Sequence, residues 1–162
     1  MADRIYLDTT VFISALVGPP EPDCDGARAV LAGAQAGDFQ LVLSSLVMAE
    51  TVGAPKIRAA QNVGRPACKA KQAKARAYID GLNGLYIELS EDDGQRAAEL
   101  SREYDLGGAD ALHLAAALRH RCVTLFTSDN GFLKVNGLVP DIQVLRPDWG
   151  RLQLDYGSGQ AV

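Results

Sequence analysis

Five short apolar runs limit what this chain can fold into: IYL at 5–7, FQLVL at 39–43, YIEL at 86–89, VTLF at 123–126 and IQVL at 142–145. Each has the length of a strand, and the segments between them carry helix signals. VFISALV follows Asp8-Thr9-Thr10 and stops at Gly18-Pro19-Pro20. A helix is predicted over 24–36, with Asp23 or Asp25 as its cap and Gly37 as its terminator. Ser44 or Ser45 opens a helix through LVMAETV that ends at Gly53 and Pro55. Another helix is expected at about 67–80, after a Gly64-Arg65-Pro66 break. Ser90 precedes an acidic surface helix from Glu91 to Tyr104, and Asp110 opens ALHLAAAL, apolar nearly all round and therefore central. Strands alternating with helices predict a three-layer α/β/α sandwich around a mainly parallel sheet of four to five strands. The 162 residues suit one domain, placed at 1–147, with a tail at 148–162 expected to be partly ordered at best.

Composition narrows the function classes. Apolar residues make up 48% of the chain and charged residues 22%, which excludes a disordered chain. No apolar run approaches the length of a transmembrane helix, and MADRIYLD lacks the apolar core of a signal peptide, so no membrane partner is expected. Cys24, Cys68 and Cys122 are scattered and form no CxxC, which points away from zinc and disulfides and toward a reduced cytoplasm.

Charge is segregated along the chain. The net charge is −4, yet Lys56, Arg58, Arg65, Lys69, Lys71, Lys74 and Arg76 fall in a stretch, 51–79, that contains no acid. Such a stretch is either a solvated helix with snorkelling stems or a strip that contacts phosphates. At 100° per residue Lys69 and Arg76 share one side of a helix while Lys71 and Lys74 share the opposite one, so the strip is not a single stripe.

In open parallel sheets the ligand site lies beyond the carboxyl ends of the strands. Asp8 follows the first strand, Asp129 follows VTLF, Glu50 lies in the helix after FQLVL, and Asp110 opens a helix returning to the sheet. Singly, Asp8 reads as an N-cap, Asp110 as a complement to a helix dipole and Asp129 as a turn residue. Glu50 is harder to explain, because a charge inside an apolar helix needs a partner, a metal or an exposed edge. Two carboxylates ~4 Å apart repel by roughly 4 kcal/mol at an effective dielectric near 20. Four together reach on the order of 10–20 kcal/mol, comparable with a domain's whole stability of ~5–15 kcal/mol. A cluster of that kind therefore binds protons or a cation, and an all-oxygen donor set suits Mg²⁺ or Mn²⁺.

IYLDTTVF at 5–12, SSLVMAE at 44–50, GADALHLAAAL at 108–118 and FTSDNGF at 126–132 resemble the corresponding pieces of PIN-domain ribonucleases, especially the VapC-type toxins of prokaryotic toxin–antitoxin pairs. The resemblance covers about residues 3–146 and is most specific in the third and fourth pieces. It implies that Asp8, Glu50, Asp110 and Asp129 are the family's four acids, coordinating one or two Mg²⁺ (Mn²⁺ able to substitute) and activating water for phosphodiester hydrolysis in RNA. Asp8 and Asp110 would be the firmest ligands and Asp129 the most dispensable. Thr9, Thr10 and Thr127 match small hydroxyl positions that orient water or phosphate. The resemblance further implies a cognate antitoxin as partner and a homodimer. The basic stretch at 53–80 departs most from the family pattern, which leaves the substrate path open.

His113 reads as a packed or hydrogen-bonding core residue, His120 as a surface residue and Trp149 as a packing staple. Two other functions fit parts of the sequence. In a haloacid-dehalogenase-type phosphohydrolase Asp8 would be the nucleophile, although Thr10 stands where that chemistry usually has a second Asp. A non-catalytic module binding RNA or protein would carry the acids as a relict.

Overall fold

The computed structural model describes residues 2–58, 60–148 and 150. The tail from 151 onward and Trp149 lie outside the described residues, so the expectations placed on them are not addressed. Five parallel strands, β1 (Arg4–Leu7), β2 (Gln40–Ser44), β3 (Gly84–Ile87), β4 (Thr124–Phe126) and β5 (Gln143–Leu145), form one sheet in the order β3-β2-β1-β4-β5. All five predicted strands exist. The third lies two residues earlier than expected, on an edge where Tyr86 stays exposed.

The first half of the chain supplies α1 (Thr9–Val17), α2 (Cys24–Ala36), α3 (Ser45–Gly53), α4 (Pro55–Arg58) and α5 (Ala60–Asp80). The second half supplies α6 (Glu91–Tyr104), α7 (Gly108–Arg119) and α8 (Asn130–Leu133). From β1 the chain steps to β2 and β3, then crosses back to β4 and β5 on the other side. Right-handed crossovers with this order put α1–α5 over one face and α6 and α7 over the other. The three-layer sandwich is thus the observed fold.

Local chemistry sets the helix ends. Ser90 and Asp93 form a reciprocal capping box at α6. Gly64 takes φ 70°, which an L side chain rarely adopts, and breaks α5 where the Gly-Arg-Pro sequence predicts. Between the layers Tyr6, Phe12, Leu41, Leu114, Phe126 and Phe132 are buried in one core, dominated by aliphatic and alanine side chains. α7 runs antiparallel to β1: the carbonyl of His120, at its end, accepts from Arg4 Nη1 at the start of that strand (3.1 Å). The N-terminus of α7 consequently lies over the carboxyl ends of the strands. All three cysteines are buried and free, and burial pushes the Cys122 thiol up to about 12, so it stays protonated. No helix among the described residues is long and apolar enough to cross a membrane.

Candidate active site

Strand order reverses at β1, whose neighbours β2 and β4 are entered from opposite directions. Crevices beyond such a reversal are where open α/β sheets bind ligands. Leu7 pairs with Phe126 in register, the Asp8 amide donates to the Phe126 carbonyl, and Asp8 and Thr127 therefore leave the sheet side by side. The Thr127 hydroxyl donates to Asp8 Oδ2 at 2.7 Å, as does the Thr10 hydroxyl at 2.7 Å. Asp8 Oδ1 accepts the Thr9 amide at 2.6 Å and so caps α1. The capping reading of Asp8 is therefore correct. At 3% exposure it is the most enclosed of the four acids.

Glu50 is carried in from α3, which begins directly after β2. Its Oε2 accepts from the Thr9 hydroxyl at 2.6 Å and lies 2.9 Å from His113 Nε2. The His113 hydrogen bond is the main reason its carboxyl stays below the usual range; burial works against it and the Thr9 hydroxyl adds to it. The charged residue in an apolar helix thus has its partners on β1–α1 and α7.

Asp110 is the third residue of α7 and half-buried. Its carboxyl is pushed up to about 6, first by burial, then by the charges of Asp8 and Asp129, partly offset by His113, with Glu50 adding to the rise. Asp129 is exposed and caps α8, its Oδ1 accepting from the amides of Gly131 (2.6 Å) and Phe132 (3.2 Å). All four acids therefore belong to one electrostatic cluster. Among the described residues no three His, Cys, Asp or Glu side chains close into a ready cage for an ion. Carboxylates without thiolates, and with the one nearby imidazole already hydrogen-bonded, fit a hydrated hard cation rather than zinc.

His113, one turn beyond Asp110, is the core residue its sequence setting predicts: it is buried, with Nδ1 2.9 Å from the Tyr6 hydroxyl. Its other nitrogen, however, faces Glu50 and comes within 3.4 Å of Asp8 Oδ1. The only sequence signal for this was its spacing from Asp110. His120 departs from the surface reading. It is half-buried, its Nε2 has no hydrogen-bond partner among the described residues, and burial lowers its pKa.

All seven bases of the basic stretch are exposed, but they do not form one strip. Arg76 pairs with Asp80 (3.4 Å) and Lys56 with Glu21 (2.7 Å). Lys71 and Lys74 line a groove of about 380 Å³ with Lys56, Leu16 and Ile57. Lys56 also borders a second groove, of about 360 Å³, which contains Thr10, Ser128 and Asp129. The two grooves share Lys56, and of the four acids only Asp129 lines either of them. A larger groove of about 830 Å³ beside β5 contains none of the four acids.

A model of the PIN domain family matches residues 5–138. No curated protein sequence matches the chain. Among solved structures, the fold is similar to a toxin–antitoxin complex from Klebsiella pneumoniae, with TM-score 0.61 and 23% identity over 88% of this chain and 97% of that one. It is also similar to the sarcin-ricin-loop-cleaving toxin VapC20 of Mycobacterium tuberculosis, with TM-score 0.58 and 19% identity over 79% and 92% of the two chains. VapBC2 of Rickettsia felis, bound to a fragment of its promoter DNA, superposes with TM-score 0.57 and 17% identity over 87% and 96%.

Proposed function

The chain belongs to the PIN-domain family, and from that premise we propose that it is a Mg²⁺-dependent endoribonuclease, the toxin of a type II toxin–antitoxin pair. The observation that carries the reading is the meeting of Asp8 and Glu50 at Thr9 and His113 beyond the carboxyl end of β1, with Asp110 near enough for the charges of Asp8, Asp129 and Glu50 to help raise its carboxyl. The toxin and toxin–antitoxin structures that share the fold lend support. Under this reading RNA is the substrate, a cognate antitoxin the partner, a homodimer the assembly and the cytoplasm the location.

Asp8 and Asp110 would hold the ion, with Glu50 and Asp129 reaching it directly or through water. Such an ion, when bound, polarises the scissile phosphate and lowers the pKa of a nearby water. Thr10 and Thr127 fix Asp8 by donating to the same oxygen. Glu50 keeps Oε1 without a hydrogen bond among the described residues and would accept a proton from an attacking water. Lys71 and Lys74, which line one groove, would contact the phosphates of a single strand, with Lys56, already paired with Glu21, beside them. Arg58, Arg65 and Lys69 would add long-range attraction, and Arg76, paired with Asp80, the least.

The phosphohydrolase reading is disfavoured by Thr10: it stands where that chemistry usually has a second Asp, and its hydroxyl donates to Asp8 Oδ2 at 2.7 Å, so it offers no acid to protonate a leaving group. The test is cleavage of an RNA pool in Mg²⁺ by the wild type and by Asp110→Asn, each after removal of contaminating nuclease. Cleavage by the wild type that EDTA stops and the variant lacks supports the proposal. Equal cleavage by both rejects it, and no cleavage by the wild type favours the non-catalytic module.

A further inference from the structure

We propose that His113 is a positioning residue of this site: backed by Tyr6, it holds one oxygen of Glu50 and thereby aims the other at the reacting centre. The inference rests on the nuclease reading above for its kinetic consequences, and on hydrogen bonding alone for the contact itself.

Four side chains from four elements form a directed chain. Ser44 Oγ lies 2.7 Å from the Tyr6 hydroxyl, which lies 2.9 Å from His113 Nδ1, and His113 Nε2 lies 2.9 Å from Glu50 Oε2. An ionised carboxylate only accepts, so Nε2 must carry the proton. A ring with that single proton accepts at Nδ1, which makes Tyr6 the donor to it and Ser44 the donor to Tyr6. Burial pushes the Tyr6 phenol up, so it stays protonated and able to donate.

The arrangement is one-sided at Glu50. Oε2 takes two donors, Thr9 and His113, while Oε1 takes none among the described residues. The side chain is 32% exposed and could otherwise swing toward solvent. Nε2 also lies 3.4 Å from Asp8 Oδ1, so one ring N–H stands between the two carboxylates and reduces their repulsion. A histidine serving only the core would end its outward nitrogen on backbone or solvent. This one ends it on two acids of the site, as outer-shell partners of metal sites do.

The test compares the wild type with His113→Leu, His113→Gln and Tyr6→Phe at one fixed pH. For RNA cleavage in Mg²⁺, His113→Leu should lower kcat by about 10–100-fold, the usual cost of losing such a partner, with KM within about twofold. His113→Gln, whose side-chain amide can donate to Glu50, should recover most of the loss, and Tyr6→Phe should fall between. Thermal melts of each variant separate a folding defect from a positioning one. Long-range proton–nitrogen NMR of the metal-free wild type should find a proton on His113 Nε2 whose signal shifts in Glu50→Ala. An unprotonated Nε2, or His113→Leu cutting at the wild-type rate, overturns the proposal. If the wild type cuts no RNA, the nuclease reading falls, and the NMR result alone decides the contact.

Discussion

Asp110→Asn should stabilise the metal-free protein at pH 7.5 even though it removes an acid of the site. The carboxyl is raised from 3.8 to about 6 by burial and by its acidic neighbours, so its charged form is disfavoured in the folded state. About two pKa units correspond to about 3 kcal/mol at most. Asp110 is only half-buried, and solvent screening brings this to about 1–2 kcal/mol. The carboxylate also sits in the first turn of α7, where the helix dipole favours it by ~0.3–1 kcal/mol. The net gain is about 1 kcal/mol, a rise in Tm of about 2–4 °C for a chain of this size. The sign with pH follows from the raised folded value. Wild type lacks this stability above pH 6 and regains it as pH falls through 6 and below 3.8, where both states become protonated. The variant's advantage should therefore be full at pH 7.5 and much reduced at pH 4.5. Calorimetry in EDTA at the two values measures it. An Asp110→Asn protein that melts lower than the wild type at pH 7.5, or a difference independent of pH, refutes the reasoning.

Other outcomes follow from the same geometry. Millimolar Mn²⁺ should raise the Tm of the wild type at pH 7.5 and leave that of Asp110→Asn nearly unchanged; an equal rise in both would mean the ion binds elsewhere. Asp93→Asn should cost about 1–2 kcal/mol in urea unfolding at pH 7, because the buried carboxylate caps α6 and pairs with Arg119 at 2.7 Å. Burial raises that carboxyl, but the Ser90 amide, Arg119 and the Ser90 hydroxyl outweigh it and hold it below its ordinary value, so its stabilisation is present above 3.8 and fades as pH falls through the lowered value. Lys71→Ala with Lys74→Ala should raise KM for RNA and lower the salt slope of binding by about 1.4, at about 0.7 per single-strand phosphate contact, with kcat little changed.

Much of this architecture was legible before any coordinates, because buried parallel strands must be nearly all apolar and IYL, FQLVL and VTLF have no other reading. YIEL was misplaced because an edge strand is half solvated: Tyr86 points outward, and the apolar signal drifted to residues beyond the strand. Glu50 announced itself as a charge in an apolar helix. Asp129 reads as a turn residue because it is one; the four-residue α8 it caps is too short to show a period. The contacts of His113 were out of reach, since its partners Tyr6 and Glu50 lie 107 and 63 positions away and meet it only where α7 returns over the sheet. The basic stretch was legible in part: helical spacing already sets Lys71 and Lys74, which border the groove, opposite Arg76, whereas the pairing of Arg76 with Asp80 and of Lys56 with Glu21 needs the fold.

The most direct measurement is anomalous scattering from a crystal of this chain soaked in Mn²⁺. The account predicts a peak between Asp8 and Asp110, with carboxylate oxygens of both at about 2.0–2.2 Å and Glu50 and Asp129 at its edge. An absent peak at saturating Mn²⁺, or one bound away from Asp8, would contradict the claim that these four acids form a single ion-binding site.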